Sequence, residues 1–374
     1  MKTALICPTV GQTRRGYERF FSELFEGLGP HIDVTLFKGG GSTTERERVV
    51  RHIRRTGALS KICRGRLQYP RYLVEFASFG WAITPHLLRG SFDLVHFIDP
   101  PLARPLQRCQ QKAKRPFALL FSNAGPVSYD ASQWVDHLHY LSPGAVAEAQ
   151  SLGVPPDRIT MLPIGMDPER VRSSADRATL RRQYGIGDET IVLLSVTTLN
   201  RGHKRIDYLI DEVSRLQGDV LLWIDAGLHP DGDESLLRLA ESKLGNRFRH
   251  THVPSERVGE LLRIADLMVS SAIQESFGMA VVEAMSCDLP VVIHDSEHFR
   301  WLAGNSGNFV DMSNPGALAD RLKILLADSG QIRPSDATEA LKRFAWPNLV
   351  PQYLELYQRA LRSAERKTSA GAVV

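Results

Sequence analysis

The sequence is short of several things, and each shortage narrows the reading. Only four of its 374 residues are cysteine (Cys7, Cys63, Cys109 and Cys287), and no two form a C-x-x-C pair. A chain of this length needs no disulfide staples, so reduced thiols in a cytoplasmic protein are expected. There is no run of about 18 apolar residues, which predicts no membrane-spanning helix. The strand-like stretch Thr3–Cys7 is too short for a signal-peptide core and runs straight into Pro8. G-x-S-x-G, H-E-x-x-H and G-x-x-x-x-G-K-[ST] are all missing, which removes the usual signatures of serine hydrolases, zinc peptidases and P-loop enzymes. The first strand–helix turn lacks G-x-G-x-x-G, which disfavours an NAD enzyme. Histidines are scattered and give no metal cluster; His137 and His139 read as structural or surface residues of a strand. The net charge of +4 is too small to argue for nucleic acid. No sequence repeat or low-complexity segment occurs.

What is present reads as two α/β domains. At roughly 150 residues per domain the length suggests two. Short apolar runs alternate with longer amphipathic stretches. Strand candidates in the first half include Thr3–Cys7, Ile32–Phe37, Leu94–Ile98, Phe117–Phe121, Leu138–Leu141 and Ile159–Leu162. In the second half they include Ile191–Val196, Val220–Ile224, Phe248–His252, Leu267–Ser270, Val291–Ile293 and Asn308–Val310. Continuous apolar runs fit strands covered on both faces, and the βαβ rhythm predicts parallel sheets between helices. The first helix carries Tyr17, Phe20, Phe21, Leu24, Phe25 and Leu28 on one stripe of 3.6-residue period. The rhythm breaks between Pro163 and Gly187, which places the hinge there. The expected division is 1–168 for the first domain and 169–349 for the second. Trp346 to Arg362 reads as a closing amphipathic helix, and Ser363 to Val374 as a frayed tail.

The sharpest segment runs from Gln274 to Met285, after the strand Leu267–Ser270. Small and apolar residues from Gly278 onward predict a helix starting near that glycine. The first amides of a helix are free and partly positive, so they can hold phosphate, and glycine permits close approach. Glu283, five residues on, lies about 7.5 Å along the axis, near the span from a diphosphate to its ribose hydroxyls. Glu275 would lie on the other side of the phosphates, toward a sugar. From spacing alone the segment reads equally as a helix entry with a solvated glutamate at each end.

The segment resembles the signature of glycosyltransferase family 4, E-[GS]-F-G-x-x-x-x-E-A-M, matched by Glu275, Ser276, Phe277, Gly278, Glu283, Ala284 and Met285. Cys287 to Val292 resembles the continuation C-G-x-P-V-V, with Asp288 for the glycine. The resemblance implies a GT-B fold: two Rossmann-like, doubly wound domains facing a cleft, with the C-terminal helix (about 350–366) packed back on the N-terminal domain. It implies a retaining transfer of a hexosyl group from a nucleotide-diphosphate sugar to a glycan, lipid-linked or small-molecule hydroxyl. Donor binding then falls to Glu283, Gly278, Phe277, Ser276, Gly16, Val253 and Lys204, and catalysis to Glu275, Lys204 and Arg201. Lys204 matches the family lysine. The family arginine position holds Leu199, and Arg201 stands nearby as its substitute. Asp93–Pro100 resembles D-x-x-H-x-H-x-P; His96 matches the first histidine, partly structural, and Ile98 replaces the second. His96, Asp99 and Asn123 are the acceptor-side candidates. Gly165-Met166-Asp167 resembles the N-G-x-D of the domain junction, with Ile164 for Asn.

No cofactor and no obligatory metal are expected, in keeping with the lack of a D-x-D-type site in a suitable loop. Between Glu45 and Arg66 stand eight Lys or Arg and two acids. This stretch reads either as a solvated helix face or as a peripheral membrane contact through Arg46–Arg66 at the inner face of the membrane. No nucleic-acid partner is expected. Two other classes stay open: an epimerase or phosphorylase on the same fold, and a non-catalytic nucleotide-sugar-binding protein.

Overall fold

The computed structural model describes residues 1–12, 16–55, 57, 70–227 and 232–371. The chain forms two compact units, Met1–Gly165 with Trp346–Val374, and Met166–Ala345. The first unit contains β1 (Lys2–Cys7), α1 (Gly16–Leu28), β2 (Asp33–Lys38), β3 (Glu47–Val49), α2 (Arg71–Gly90), β4 (Leu94–Phe97), α3 (Ala103–Lys112), β5 (Ala118–Asn123), α4 (Tyr129–Ser132), β6 (His137–Tyr140), α5 (Pro143–Ser151) and β7 (Ile159–Met161). The second unit contains α6 (Pro168–Val171), α7 (Arg177–Gln183), β8 (Ile191–Thr198), α8 (Ile206–Ser214), β9 (Val220–Gly227), α9 (Ser235–Leu244), β10 (Phe248–Thr251), α10 (Val258–Ile264), β11 (Leu267–Val269), α11 (Met279–Ser286), β12 (Val291–His294), α12 (Glu297–Ala303), β13 (Gly307–Val310), α13 (Ala317–Ala327) and α14 (Ala337–Phe344). The last helix, α15 (Trp346–Gly371), returns to the first unit.

The first sheet has the order β3-β2-β1-β4-β5-β6-β7 and the second β10-β9-β8-β11-β12-β13, and the strand pairs are parallel. Strand order therefore reverses between β1 and β4 in one unit and between β8 and β11 in the other. In such sheets the crevice beyond the carboxyl ends at the reversal is where ligands bind. Strands β4 and β5 are buried along their whole length, including the polar residues His96, Ser122 and Asn123. On α1, Phe20, Phe21, Leu24 and Leu28 are fully buried, whereas Tyr17 and Phe25 at the flanks of the stripe keep some exposure.

Helix α15 is bound to the first unit by aromatic packing and by a directed polar chain. Trp346 stacks on Phe20 at 6.2 Å and donates through Nε1 to Glu23 Oε2 at 2.7 Å. The Trp346 ring lies where a Cβ on residue 165 would stand, 2.3 Å away, so only glycine fits at Gly165. His139 Nε2 lies 2.9 Å from the Leu162 carbonyl, which can only accept, so Nε2 carries the proton. Neutral His139 then accepts at Nδ1 from Ser122 Oγ (2.7 Å), and Ser122 accepts from His96 Nε2 (2.6 Å). His96 Nδ1 accepts in turn from the Tyr357 hydroxyl at 2.9 Å. Burial holds both imidazoles below their usual pKa, His139 at about 4, so the neutral forms required by this chain are the ones present.

Two expectations are corrected. Glu47–Val49 is a strand pairing with β2, not part of a helix face; Glu47 is ion-paired to Lys38. The arginines around it are drawn into local structure: Arg46 to the Gly29 carbonyl, Arg54 to the Gly39 carbonyl, Arg55 to Glu75. Cys63, Lys61, Arg64 and Arg66 lie outside the described residues. The tail does not fray at Ser363, because Ser363 Oγ bonds His137 Nδ1 at 3.0 Å and Lys367 reaches Asp136 at 3.3 Å, carrying the helix to Gly371. Among the described residues no helix is long and apolar enough to cross a membrane.

Replacing Tyr357 by Phe leaves His96 Nδ1 buried without its donor. Urea unfolding of the Tyr357→Phe protein is expected to show a loss on the order of 1–3 kcal/mol; an unchanged midpoint and slope would refute the directed chain.

Candidate active site

In the second unit, chemistry collects at the β8/β11 reversal. After β8 the chain buries Leu199 in the core, so the position of the family arginine holds a packing residue. The following turn is pinned by its neighbours. Arg205 adopts φ +50° at the start of α8, lies 4.2 Å over the Tyr208 ring and donates to the Met312 carbonyl at 2.6 Å. Ser271, just past β11, donates through Oγ to the Lys204 carbonyl at 2.7 Å. With its backbone held from both sides, Lys204 projects its ammonium onto Glu275, and the two form an ion pair. Their side chains are 20% and 17% exposed, so the pair is partly shielded yet open to solvent. Lys204 and Glu275 come from loops 71 residues apart in sequence.

Glu275 leads into the start of α11. Gly278 has φ +104° and supplies no capping side chain, and a Cβ there would lie 2.8 Å from Leu302 Cδ2. Glycine is therefore required twice over, by backbone conformation and by contact. The Val281 and Val282 amides turn back to the Gly278 carbonyl, so the amides before them are the ones a helix start leaves over. Ser276 donates its amide to Glu275 Oε1 at 3.3 Å. Phe277 is 2% exposed and packs edge-on against Phe344 at 5.8 Å. This corrects its expected place among donor contacts: the ring belongs to the core, because the turn into α11 must be anchored. His298 holds the Phe277 carbonyl at 2.9 Å. Its imidazole is kept below its usual pKa, first by burial. Glu283 is buried on α11 beside Val281, Val282, Ala284 and Met285.

The other donor-side candidates are more dispersed. Arg201 is not grouped with Lys204. Its Nε donates to Asp233 Oδ2 at 2.6 Å and its Nη2 to Ser235 Oγ at 3.0 Å. The acidic turn before α9 holds it through this ion pair. Val253 donates its amide to Asp225 Oδ1 at 3.0 Å. Asp225 also accepts from Thr251 Oγ1 at 2.8 Å, and burial raises its pKa against these bonds. Asp225 and His298 escape sequence reading, because an ordinary strand end and an ordinary helix turn carry no motif.

In the first unit, Gly16 begins α1. His96 is fully buried in the chain to Tyr357, which removes it from direct acceptor contact and leaves the structural part of its expected role. Asn123 is 3% exposed and folds the following loop, donating to the Gly125 carbonyl at 2.8 Å and accepting from the Ser128 amide at 3.0 Å. Asp99 differs from both. It follows β4 at the β1/β4 reversal, and its Oδ2 is buried with no hydrogen-bond partner among the described residues. Burial, reinforced by Glu18 and offset by Arg55, pushes its carboxyl up to about 7. Cys7, at the end of β1, is raised by burial first and then by Asp99 and Glu18. Among the described residues no group of three or more His, Cys, Asp or Glu is placed to hold a metal ion.

Comparison with known proteins bears on the fold and on the second unit. Residues 176–344 match the family model described as "Glycosyl transferases group 1". The chain is 31% identical over 249 residues to the D-inositol 3-phosphate glycosyltransferase of Corynebacterium glutamicum, covering 61% of this chain and 59% of that protein. It is 24% identical over 171 residues to the alpha-galactosylglucosyldiacylglycerol synthase of Streptococcus pneumoniae, covering 44% and 46%. The chain spans about half the length of the curated relatives it matches. Among solved structures, sucrose-phosphate synthase from Thermosynechococcus elongatus superposes with a TM-score of 0.80 at 18% identity, over 97% of this chain and 99% of that one. Anabaena HepE in complex with UDP and glucose gives 0.74 at 17% identity, over 95% and 98%. The fold is thus GT-B, with two Rossmann-like units, and residues 176–344 resemble the group 1 glycosyl transferases.

The raised carboxyl of Asp99 makes a pH prediction. Between its ordinary value of 3.8 and about 7 the unfolded chain releases this proton first. The folded state binds more protons over that range, so this group's contribution to stability is present below pH 3.8 and lost as pH rises toward 7. Asp99→Asn is expected to gain stability over the parent by about 2–3 kcal/mol more at pH 8 than at pH 5, measured by urea unfolding. An equal difference at both pH values would remove the carboxyl from this role.

Proposed function

We propose that this protein is a retaining glycosyltransferase that moves a hexosyl group from a nucleotide-diphosphate sugar to an acceptor hydroxyl. The observation that carries the reading is the Lys204–Glu275 ion pair at the β8/β11 reversal, beside the uncapped start of α11. As the glycosidic bond breaks, negative charge grows on the departing diphosphate. Lys204 and the first amides of α11 offer positive charge and dipoles for it, already in position before the reaction. Glu275, turned toward the same point, is suited to hold sugar hydroxyls and so to orient the donor. Glu283 is suited to accept from the ribose hydroxyls, and the Val253 carbonyl to meet the base. Ser276, beside Glu275, is suited to the phosphate side, and in the first unit Asp99 is suited to take an acceptor hydroxyl. The likeness to HepE, a protein solved in complex with UDP and glucose, supports a UDP-sugar as the donor. The acceptor class remains a glycan, a lipid-linked or a small-molecule hydroxyl. The relatives include both an inositol-phosphate glycosyltransferase and a diacylglycerol glycolipid synthase, so polyol and lipid acceptors are each supported. No observation favours an epimerase, a phosphorylase or a non-catalytic binder over transfer.

Two outcomes follow. Glu275→Ala and Lys204→Ala are each expected to lower donor turnover by about 10²–10³-fold with the fold intact by circular dichroism. Undiminished transfer by Glu275→Ala in a nucleotide-sugar turnover assay would end this reading of the pair. Because the charge on the leaving group is assigned to the protein, activity is expected to survive excess EDTA. Loss of activity that Mg²⁺ restores would show that a metal shares that role.

A further inference from the structure

Helix α2 of the first unit has an outer face that its own packing does not account for. An α-helix turns about 100° per residue, which puts Val74, Ala77, Trp81, Pro85 and Leu88 within an arc of about 80°. The buried residues Phe76, Phe79, Ile83 and Leu87 lie on the opposite side. Trp81 is 82% exposed and Leu88 41%. A helix with an apolar stripe turned outward and a tryptophan at its centre suits an interface between water and hydrocarbon.

The charges around the stripe are of one sign. The single acid of α2, Glu75, is buried and bonded to Arg55 at 2.6 Å. Arg71 and Arg89 fall about 40° beyond one edge of the stripe. Helix α3 packs alongside α2, with Pro105 against Gly80 and Cys109 Sγ 3.9 Å from the Thr84 carbonyl. It carries Arg104, Arg108 and Lys112 at i, i+4 and i+8 and no acid. The basic arm running to Arg55 joins the same helix, where the Ile53 amide donates to Ser78 Oγ at 3.0 Å.

We propose that this face docks on an anionic lipid bilayer, with Trp81 at the boundary between headgroups and acyl chains and the flanking cations on lipid phosphates. Charge selects this occupant over a second copy of the chain. A two-fold contact through the stripe would set these cations against themselves, whereas an anionic surface neutralises them. The proposal rests on the first unit alone and does not depend on the donor site.

The test uses the full chain with vesicles of phosphatidylcholine alone or mixed with phosphatidylglycerol. The protein is expected to co-sediment with the mixed vesicles and to be released by salt. Trp81→Glu, at a position too exposed to matter for folding, is expected to weaken this at least about tenfold, while Trp81→Phe retains most of it. Brominated acyl chains should quench part of the tryptophan emission in the parent and not in Trp81→Phe. Failure to bind the mixed vesicles, or equal binding by Trp81→Glu, overturns the proposal. So does a dimer in sedimentation velocity that Trp81→Glu splits, which would assign the face to a second copy.

Discussion

Parallel strand pairing is the constraint from which the rest of this molecule follows. Parallel neighbours need a crossover, and crossovers place helices over both faces of each sheet, so most strand positions are apolar and the buried polar ones, such as His96, Ser122 and His139, are hydrogen-bonded. Polar groups that meet a ligand fall to the loops at the carboxyl ends. At the order reversals, two such loops diverge to opposite faces and leave a crevice. In the second unit those loops are the turn after β8 and the lead into α11, and they bring Lys204 to Glu275. In the first unit they place Cys7 and Asp99 at the ends of β1 and β4.

The two units treat their polar residues differently. The donor-side loop is held by backbone bonds and packing around it: Ser271 on the Lys204 carbonyl, Arg205 on Met312, His298 on the Phe277 carbonyl. These supports leave the Lys204 and Glu275 side chains to each other and to whatever enters. In the first unit the polar side chains of the central strands are committed inward. The order Leu162, His139, Ser122, His96, Tyr357 has one consistent set of proton positions, set by a carbonyl at one end. It closes α15 over the sheet and takes the histidine of the resemblance out of reach. Among the described residues, Asp99 is left as the polar group at that reversal with an uncommitted buried oxygen.

Such commitments show why motif residues do not all share one fate. Phe277 and Gly278 sit side by side in the signature, yet one anchors the turn in the core and the other shapes it for close approach. Arg201 carries the right charge in the right loop, but Asp233 and Ser235 offer it nearer partners. Charge in a sequence indicates capacity, and the nearest partner decides its use.

The sequence by itself determined the α/β class, the division into two halves and the helix start near Gly278. These are local matters: apolar period, turn chemistry and a nine-residue spacing survive in one dimension. Only the tertiary structure decided that His96 and Asn123 face inward, that Arg201 turns away, that Glu47–Val49 adds an edge strand, and that α15 runs on to Gly371. It also revealed Asp225, His298 and the outward stripe around Trp81. Each of these depends on which distant side chain lies within about 3 Å, or on none doing so, and linear spacing carries no record of that distance.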